Sequence, residues 1–224
     1  MMTVFTKIYD EPEFNISEIM RYAGVKKASL ETEKLIDICL DECKDVFSYK
    51  VCFAEAEISC ERDILHIGKV TAGGSALKKN LEGCNKAVLF AATVGIGIDR
   101  LIVKYSGLSP SKALILQAIG AERIEALCDT FNSEMCGKYA KEGLFLRPRF
   151  SPGYGDFPLA AQREMFEVLD CPRKIGLSLN ESLIMSPSKS VTAIIGISPQ
   201  KRESAGKCEH CTLKECAYKN EEKK

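Results

Sequence analysis

Twelve consecutive residues decide how this chain is organised: Arg147-Pro148-Arg149-Phe150-Ser151-Pro152-Gly153-Tyr154-Gly155-Asp156-Phe157-Pro158. The prolines exclude a helix or a central strand here, because proline has no backbone N–H and fixes φ. Pro152-Gly153 predicts a tight turn, and glycine lets a ligand approach the backbone closely. Two interpretations are open: a rigid loop that brings Arg149 and Tyr154 to one place, or an ordinary turn between two elements.

Three blocks of sequence, in order, resemble the activation domain of cobalamin-dependent methionine synthase. The pattern Arg149-x-x-x-Gly153-Tyr154 is similar to the family's loop that holds S-adenosylmethionine. Residues 176–191 are similar to the family segment in which a Glu-Ser pair precedes Met-x-Pro and a Ser-Val strand. Residues 124–128 resemble the helix that contributes a glutamate near the same site. The order and spacing of the three blocks make the resemblance more specific than the loop alone.

The resemblance implies a set of ligand-binding side chains. A guanidinium suits the carboxylate of S-adenosylmethionine, since it is planar and permanently charged. Loop backbone groups suit the adenine or amino-acid part, a tyrosine offers a ring face and a hydroxyl, and an acid suits the ammonium or ribose. The acid on the helix is Glu125, and the family glutamate nearest the loop falls near Glu142. The implied residues are therefore Arg149, Ser151, Gly153, Tyr154, Glu125 and Glu142.

The resemblance also implies a function. In this family the domain holds S-adenosylmethionine while a corrinoid is reductively methylated, with electrons from a reduced flavodoxin or ferredoxin. The chain has no Asp-x-His-x-x-Gly pattern, and its only histidines are His66 and His210. The cobalamin is therefore expected on a partner, either a methionine synthase or another corrinoid-binding protein. A non-enzymatic protein that only docks on a corrinoid protein is the alternative.

Two positions depart from the family pattern. Gly155 follows the Gly-Tyr pair, where the family has proline. The family's tyrosine on a later strand has no counterpart after Val191, where the chain reads Ile194-Ile195-Gly196-Ile197.

The coarse pattern of elements favours an α+β fold, because helices and strands are both present without regular βαβ alternation. The resemblance implies a bent antiparallel sheet flanked by helices, with a short Cys-rich C-terminal tail. The predicted domain covers residues 1–200, and the linker and tail cover 201–224. The predicted helices are 17–22, 32–46, 75–81, 98–105 and a long one from Pro110, and the predicted strands are 49–58, 64–70, 86–93, 182–185 and 191–197.

The tail carries the second conspicuous pattern, in which three cysteines and one histidine fall within nine positions. Thiolates at this density suit zinc or an iron–sulfur cluster. The predicted metal ligands are Cys208, Cys211, Cys216 and His210, with Cys171 or Cys84 as other candidates for the fourth ligand. An electron-transfer protein centred on this tail is a further alternative function, and a structural zinc tail without a part in turnover is also open.

The composition limits the classes of protein that remain open. Lysine plus arginine and aspartate plus glutamate both total 31, so the formal net charge is zero, which argues against a broad basic face for nucleic acid. No apolar run reaches the length of a membrane span, and the N-terminus lacks the pattern of a signal peptide. We therefore expect a cytoplasmic protein without a nucleic-acid or membrane partner. Most of the eleven cysteines lie in apolar patterns and are expected to be reduced, buried hydrophobes.

Overall fold

The computed structural model describes residues 2–61 and 64–201. Within this part of the chain, helices pack on both faces of an open antiparallel sheet. The strands are β1 (Phe5–Ile8), β2 (Lys50–Glu61), β3 (Ile64–Ile67), β4 (Val70–Ala72), β5 (Lys86–Thr93), β6 (Phe145–Leu146), β7 (Ser178–Leu179), β8 (Met185–Ser186) and β9 (Ser190–Ser198). The helices are α1 (Ile16–Tyr22), α2 (Leu30–Glu42), α3 (Ser75–Asn80), α4 (Gly97–Ser106), α5 (Pro110–Ala140), α6 (Ala161–Leu169) and α7 (Cys171–Ile175).

The main sheet runs in the order β4-β3-β2-β5-β9-β6, and β1 pairs with the first residues of β2. Every pairing is antiparallel. Strand β5 lies between β2 and β9, and all its residues except Lys86 are buried. This explains why β5 reads as a continuous apolar run instead of alternating, since both of its faces are covered. Strands β7 and β8 form a separate hairpin.

Two apolar layers cover the sheet. On one side, which we call the long-helix face, α1, α2, α4 and α5 pack against the sheet. On the other, the short-helix face, α3, α6 and α7 pack against it. The centre of the long-helix face is aromatic: the rings of Phe90 and Phe131 lie 4.9 Å apart, and those of Phe53 and Phe131 lie 5.3 Å apart. Phe131 thereby fixes α5 across the middle of the sheet.

Local sequence explains several boundaries. Asn15 and Ser29 cap α1 and α2, since their side chains accept from the backbone N–H groups of Glu18 and Thr32. Pro110 opens α5, where its missing N–H costs nothing. None of the helices among the described residues has the length and apolarity to cross a membrane.

The predicted α+β class with an antiparallel sheet and flanking helices is confirmed, and the predicted strand 86–93 coincides with β5. The boundary at residue 200 stays a prediction, and the tail lies outside the described residues. The predicted strand 182–185 is wrong for residues 182–184. Those residues form the turn between β7 and β8, where Leu183 has φ 63° and the Asn180 side chain accepts from the Ile184 N–H.

Candidate ligand-binding cleft

The loop predicted from sequence begins with a bulge beside the sheet edge. Leu146 pairs with Ile197, and Phe150 then bridges to Ile194 through two backbone hydrogen bonds of 2.9 Å. Between these two pairings the loop advances by four residues, from Leu146 to Phe150, whereas β9 advances by only three, from Ile197 to Ile194. The extra residue falls in the segment that contains Pro148, which cannot donate to a ladder.

The bulge decides where the two arginines of the loop point. In a regular strand, residues two apart share a face, so Arg147 and Arg149 would lie side by side. Because the bulge inserts one residue between them, Arg147 contacts the short-helix face and Arg149 contacts α5 on the long-helix face. The predicted loop thus supplies one arginine to each side of the sheet.

Arg147 is 5% exposed and binds backbone. Its guanidinium donates to the carbonyl of Glu82 at 3.1 Å, to Ser198 Oγ at 3.1 Å and to the carbonyl of Gln200 at 3.3 Å. Arg147 is not among the ligand-binding residues expected from the sequence, and these contacts make it a structural clamp. Gly196 makes room for it, since a Cβ at Gly196 would lie 3.0 Å from Arg147 Cγ.

Arg149 joins two carboxylates on α5. Its Nη2 donates to Asp129 Oδ1 at 2.7 Å and to Glu125 Oε2 at 3.1 Å. Residues 125 and 129 lie one helical turn apart on the same side of α5, which lets one guanidinium contact both. Beneath the arginine lies the fully buried Cys128, and burial raises the pKa of its thiol to about 12 although Arg149 acts to lower it.

The turn after Arg149 is closed by its own backbone. The Tyr154 N–H donates to the Ser151 carbonyl at 3.1 Å, and the Gly153 N–H donates to the Phe157 carbonyl at 2.9 Å. Gly153 has φ +92°, a conformation that side chains rarely adopt. Ser151 and Gly153 were expected to bind a ligand through their backbone. However, the Ser151 carbonyl and the Gly153 N–H already form hydrogen bonds within the turn. Tyr154 is 67% exposed.

Asp156 fastens the loop to α3. Its carboxylate accepts from the Ser75 N–H at 2.6 Å, the Ser75 hydroxyl at 2.7 Å and the Ala76 N–H at 3.0 Å. These hydrogen bonds, that of the Ser75 side chain first, lower the pKa of Asp156 to about 2. Serine commonly caps a helix with its own hydroxyl, but the Ser75 hydroxyl instead donates to the Asp156 carboxylate, which arrives from the loop. Gly74 permits the approach, since a Cβ there would lie 2.6 Å from Asp156 Oδ1.

A cleft of about 980 Å³ lies between α1 and α5. Its floor is the solvent-facing side of α5, its far wall is α1, and two residues from the loops after α5 complete it. The side chains that line it include Glu18, Tyr22, Glu125, Asp129, Tyr154 and Lys189. Carboxylates and aromatic rings dominate this set, which suits a ligand that carries positive charge.

The α1 wall is held by charge pairing and stacking. Arg21 forms an ion pair with Glu18 at 2.5 Å, and its guanidinium lies 4.3 Å from the centre of the Tyr22 ring. Burial, followed by repulsion from the Glu125 carboxylate, raises the pKa of the Tyr22 hydroxyl. Tyr22 therefore remains protonated beside Glu125 and can donate from its side of the cleft.

A buried ion pair ties the N-terminal segment to α5. Arg123 is fully buried, and both its Nε and its Nη2 donate to the Glu122 carboxylate at 2.6 Å. The guanidinium also donates to the carbonyls of Pro12 and Glu13 and lies 3.8 Å from the centre of the Phe14 ring. This pair positions the chain that leads into α1. We did not identify it from sequence, where the signal is a Glu-Arg pair on an otherwise apolar side of a long helix.

The structure brings some of the predicted site residues together. Glu125 and Tyr154 line the cleft, and Arg149 is bound to Glu125 beside it. Ser151 and Gly153 build the turn that carries Tyr154. Glu142 is exposed and lies beyond the end of α5, whose axial rise from Glu125 to Ala140 is about 22 Å. The structure therefore does not bring Glu142 to this cleft.

The predicted metal ligands, Cys208, His210, Cys211 and Cys216, lie outside the described residues. Within residues 2–61 and 64–201, no group of three or more histidine, cysteine, aspartate or glutamate side chains is arranged to hold a metal ion. The two body cysteines considered as a fourth ligand are buried, and the Cys171 sulfur lies 3.9 Å from that of Cys52.

These features define an α+β domain with a candidate ligand-binding cleft, and the comparison with known families identifies its class. The sequence profile of the vitamin B12 dependent methionine synthase activation domain matches residues 77–220. The chain belongs to this family, which confirms the resemblance seen in the sequence.

Among solved structures, the chain is similar to the MetH reactivation domain crystallised with AdoHcy. The TM-score is 0.63 at 14% sequence identity, and the match covers 91% of this chain and 81% of that one. At this identity the likeness concerns the fold. No curated protein sequence matches the chain significantly.

Proposed function

We propose that this protein binds S-adenosylmethionine in the cleft between α1 and α5 and supports the reductive methylation of a corrinoid on a separate protein. That partner is a methionine synthase or another corrinoid methyltransferase. One observation carries the proposal: in a member of the activation-domain family, the Arg149–Tyr154 loop meets Glu125 at the edge of a cleft. The similar MetH domain was crystallised with AdoHcy, which is S-adenosylmethionine without its methyl group.

The cleft suits this ligand in charge and in size. S-adenosylmethionine carries a sulfonium and an ammonium cation, and the carboxylates of Glu125, Asp129 and Glu18 face the cleft. The rings of Tyr22 and Tyr154 offer faces that attract a cation. The volume of about 980 Å³ is at the upper end of the range for small-molecule sites.

The contribution of the chain is to hold and orient the ligand. The loop is fixed to α3 by Asp156, and α1 is fixed to α5 by the Glu122–Arg123 pair, so both walls of the cleft are positioned before a ligand arrives. The bound ligand supplies a methyl group from its sulfonium, and a reduced flavodoxin or ferredoxin supplies the electron that the corrinoid needs. Tyr154, which is largely exposed, leaves the ligand accessible to a corrinoid carrier.

Calorimetric titration of S-adenosylmethionine into the purified protein tests the proposal. We expect saturable binding by the wild type and strongly weakened binding by Arg149→Ala, because Glu125 and Asp129 lose the group that positions them. Arg173→Ala is the matched control, since it removes the same charge from a side chain that is 86% exposed on α7. Circular dichroism of all three proteins establishes that they are folded.

Absence of binding by the folded wild type would refute the proposal. A pull-down with a corrinoid protein then decides the next step. Association without binding of S-adenosylmethionine would support the docking-only alternative. The electron-transfer alternative depends on the cysteine tail, and truncation after Ser204 with loss of a visible absorption band would support it.

A further inference from the structure

Lys189 enters the same cleft from the turn between β8 and β9. Its aliphatic stem lies on α5 at Gly120, where a Cβ would stand 3.0 Å from both Lys189 Cγ and Lys189 Cε. Glycine weakens a helix interior relative to alanine, and α5 is 31 residues long. Gly120 therefore makes room for the lysine stem and also for Ile98 of α4, whose Cγ1 would lie 3.2 Å from that Cβ.

The Lys189 ammonium has no carboxylate within ion-pair distance among the residues that the structure describes. Asp99 attracts it from α4, but the two oxygens of Asp99 already accept from the Ser188 N–H at 2.7 Å and the Ser188 hydroxyl at 2.6 Å. Burial lowers the pKa of Lys189, against the attraction of Asp99. A cation placed in this way gains most from an anionic ligand.

The two arginines at the cleft, Arg21 on its wall and Arg149 beside it, already have carboxylate partners. Arg149 holds Glu125 and Asp129, and Arg21 holds Glu18. A ligand carboxylate that approached Arg149 would come close to two negative charges. The same two charges attract a ligand cation, so the arginine and its partners present a net negative group to the cleft.

We propose that Lys189 anchors the carboxylate of S-adenosylmethionine, and that Arg149 is a positioning residue that holds Glu125 and Asp129 toward the cationic part of the ligand. The inference rests on the proposed function. Glu125 lies five residues after Gly120, an axial rise of about 7.5 Å, and Lys189, Glu125 and Asp129 all line the cleft. The ligand would lie along α5 with its carboxylate at Lys189.

The test compares two probes, S-adenosylmethionine and its decarboxylated form, by calorimetry. We expect the wild type to bind S-adenosylmethionine at least about tenfold more tightly, the effect of one hydrogen bond between charged groups. In Lys189→Gln this preference disappears because only S-adenosylmethionine binds more weakly. Lys189→Arg, which keeps the charge, retains the preference. Lys174→Gln on α7 is the control for loss of an exposed lysine.

A second variant moves the lysine without removing it. Gly120→Ala places a methyl group against the Lys189 stem, so we expect a reduced preference in a protein with an unchanged circular dichroism spectrum. Wild type that binds neither probe would refute the proposed function itself. Wild type that binds both probes equally, or Lys189→Gln that keeps the preference, would overturn this inference alone. If Lys189→Gln keeps the preference and Arg149→Ala loses it, the carboxylate of S-adenosylmethionine would be assigned to Arg149.

Discussion

The two faces of the sheet use the arginines of one loop in opposite ways. On the short-helix face, Arg147 is buried and its guanidinium binds two backbone carbonyls and a hydroxyl. On the long-helix face, Arg149 binds two carboxylates that remain partly exposed. The first arginine closes a gap in the protein, whereas the second organises charge at a cleft.

This difference extends to the whole of each face. The short-helix face brings together small and apolar side chains, among them Cys52, Cys171 and Ala91. The long-helix face has a comparable apolar centre, but its outer side carries the Glu122–Arg123 pair and the carboxylates of α5. Charged side chains that are fixed by partners yet reach a cleft are typical of a binding site. The comparison therefore supports the proposal that the ligand binds on the long-helix face.

The largest expected effect comes from the buried ion pair of the long-helix face. Arg123→Met leaves the Glu122 carboxylate buried without its partner and removes two donors from the carbonyls of Pro12 and Glu13. We expect the free energy of unfolding to fall by about 3–5 kcal/mol, as for other broken buried pairs. Urea denaturation followed by circular dichroism measures it.

A double variant separates the charge from the packing. In Glu122→Gln/Arg123→Met no charge remains to be buried, so the loss should be smaller than in Arg123→Met alone. Equal losses in the two proteins would show that the packing of Arg123 on Phe14 dominates. A loss below about 1 kcal/mol in Arg123→Met would contradict the role of the pair in fixing α1.

The second-largest expected effect on stability comes from substituting Arg147, and substitution of Arg149 provides the direct comparison. Arg147→Met removes a buried guanidinium that donates to the carbonyls of Glu82 and Gln200 and to the buried hydroxyl of Ser198, so we expect a loss of about 2 kcal/mol. Arg149→Met should cost less than about 1 kcal/mol, because the side chains of Glu125 and Asp129 are 40% and 57% exposed and are hydrated when released. Urea denaturation and the calorimetric titration are performed on both proteins.

We expect the two substitutions to affect ligand binding in the opposite order from stability. Arg149→Met should weaken binding of S-adenosylmethionine, while folded Arg147→Met should bind it nearly as the wild type does. If both variants lost stability equally and binding equally, the assignment of one arginine to each face would be wrong.

Much of the fold could be predicted because its signals are local. The apolar run of β5, the cap at Asn15 and Pro110 at the start of α5 each act through neighbouring residues. The turn at 182–184 was missed because Leu183 and Ile184 suggested a strand. The decisive contact is the bond from the Ile184 N–H to Asn180, which competes with strand pairing.

The site was only partly predictable, because its arrangement depends on register. The family pattern pointed to Arg149, Tyr154 and Glu125, which the structure brings to one cleft, but not to the bulge that sends Arg147 to the other face. Glu142 was implied by the resemblance to the family, but it lies beyond the end of α5, away from the cleft. Lys189 lies in a turn that gives no sign of the partner at Gly120. Such contacts follow from tertiary packing and have no local signature.

The smallest expected effect concerns pH and the attachment of the loop. The pKa of Asp156 is lowered to about 2 in the folded protein, from about 3.9 in an unfolded chain. Because the folded value is the lower one, the stabilisation by this carboxylate is complete above about pH 5 and is lost progressively as the pH falls toward 2. Asp156→Asn lacks this titration, so the stability of the wild type should fall more steeply than that of the variant between pH 5 and pH 3. Urea denaturation across this range measures the two slopes, and hydrogen exchange of the Ser75 and Ala76 amides, the two donors to the carboxylate, locates the change. Since Asp156 joins α3 on the short-helix face to the loop that carries Tyr154, parallel slopes would show that the loop is held by other contacts, such as the burial of Phe157.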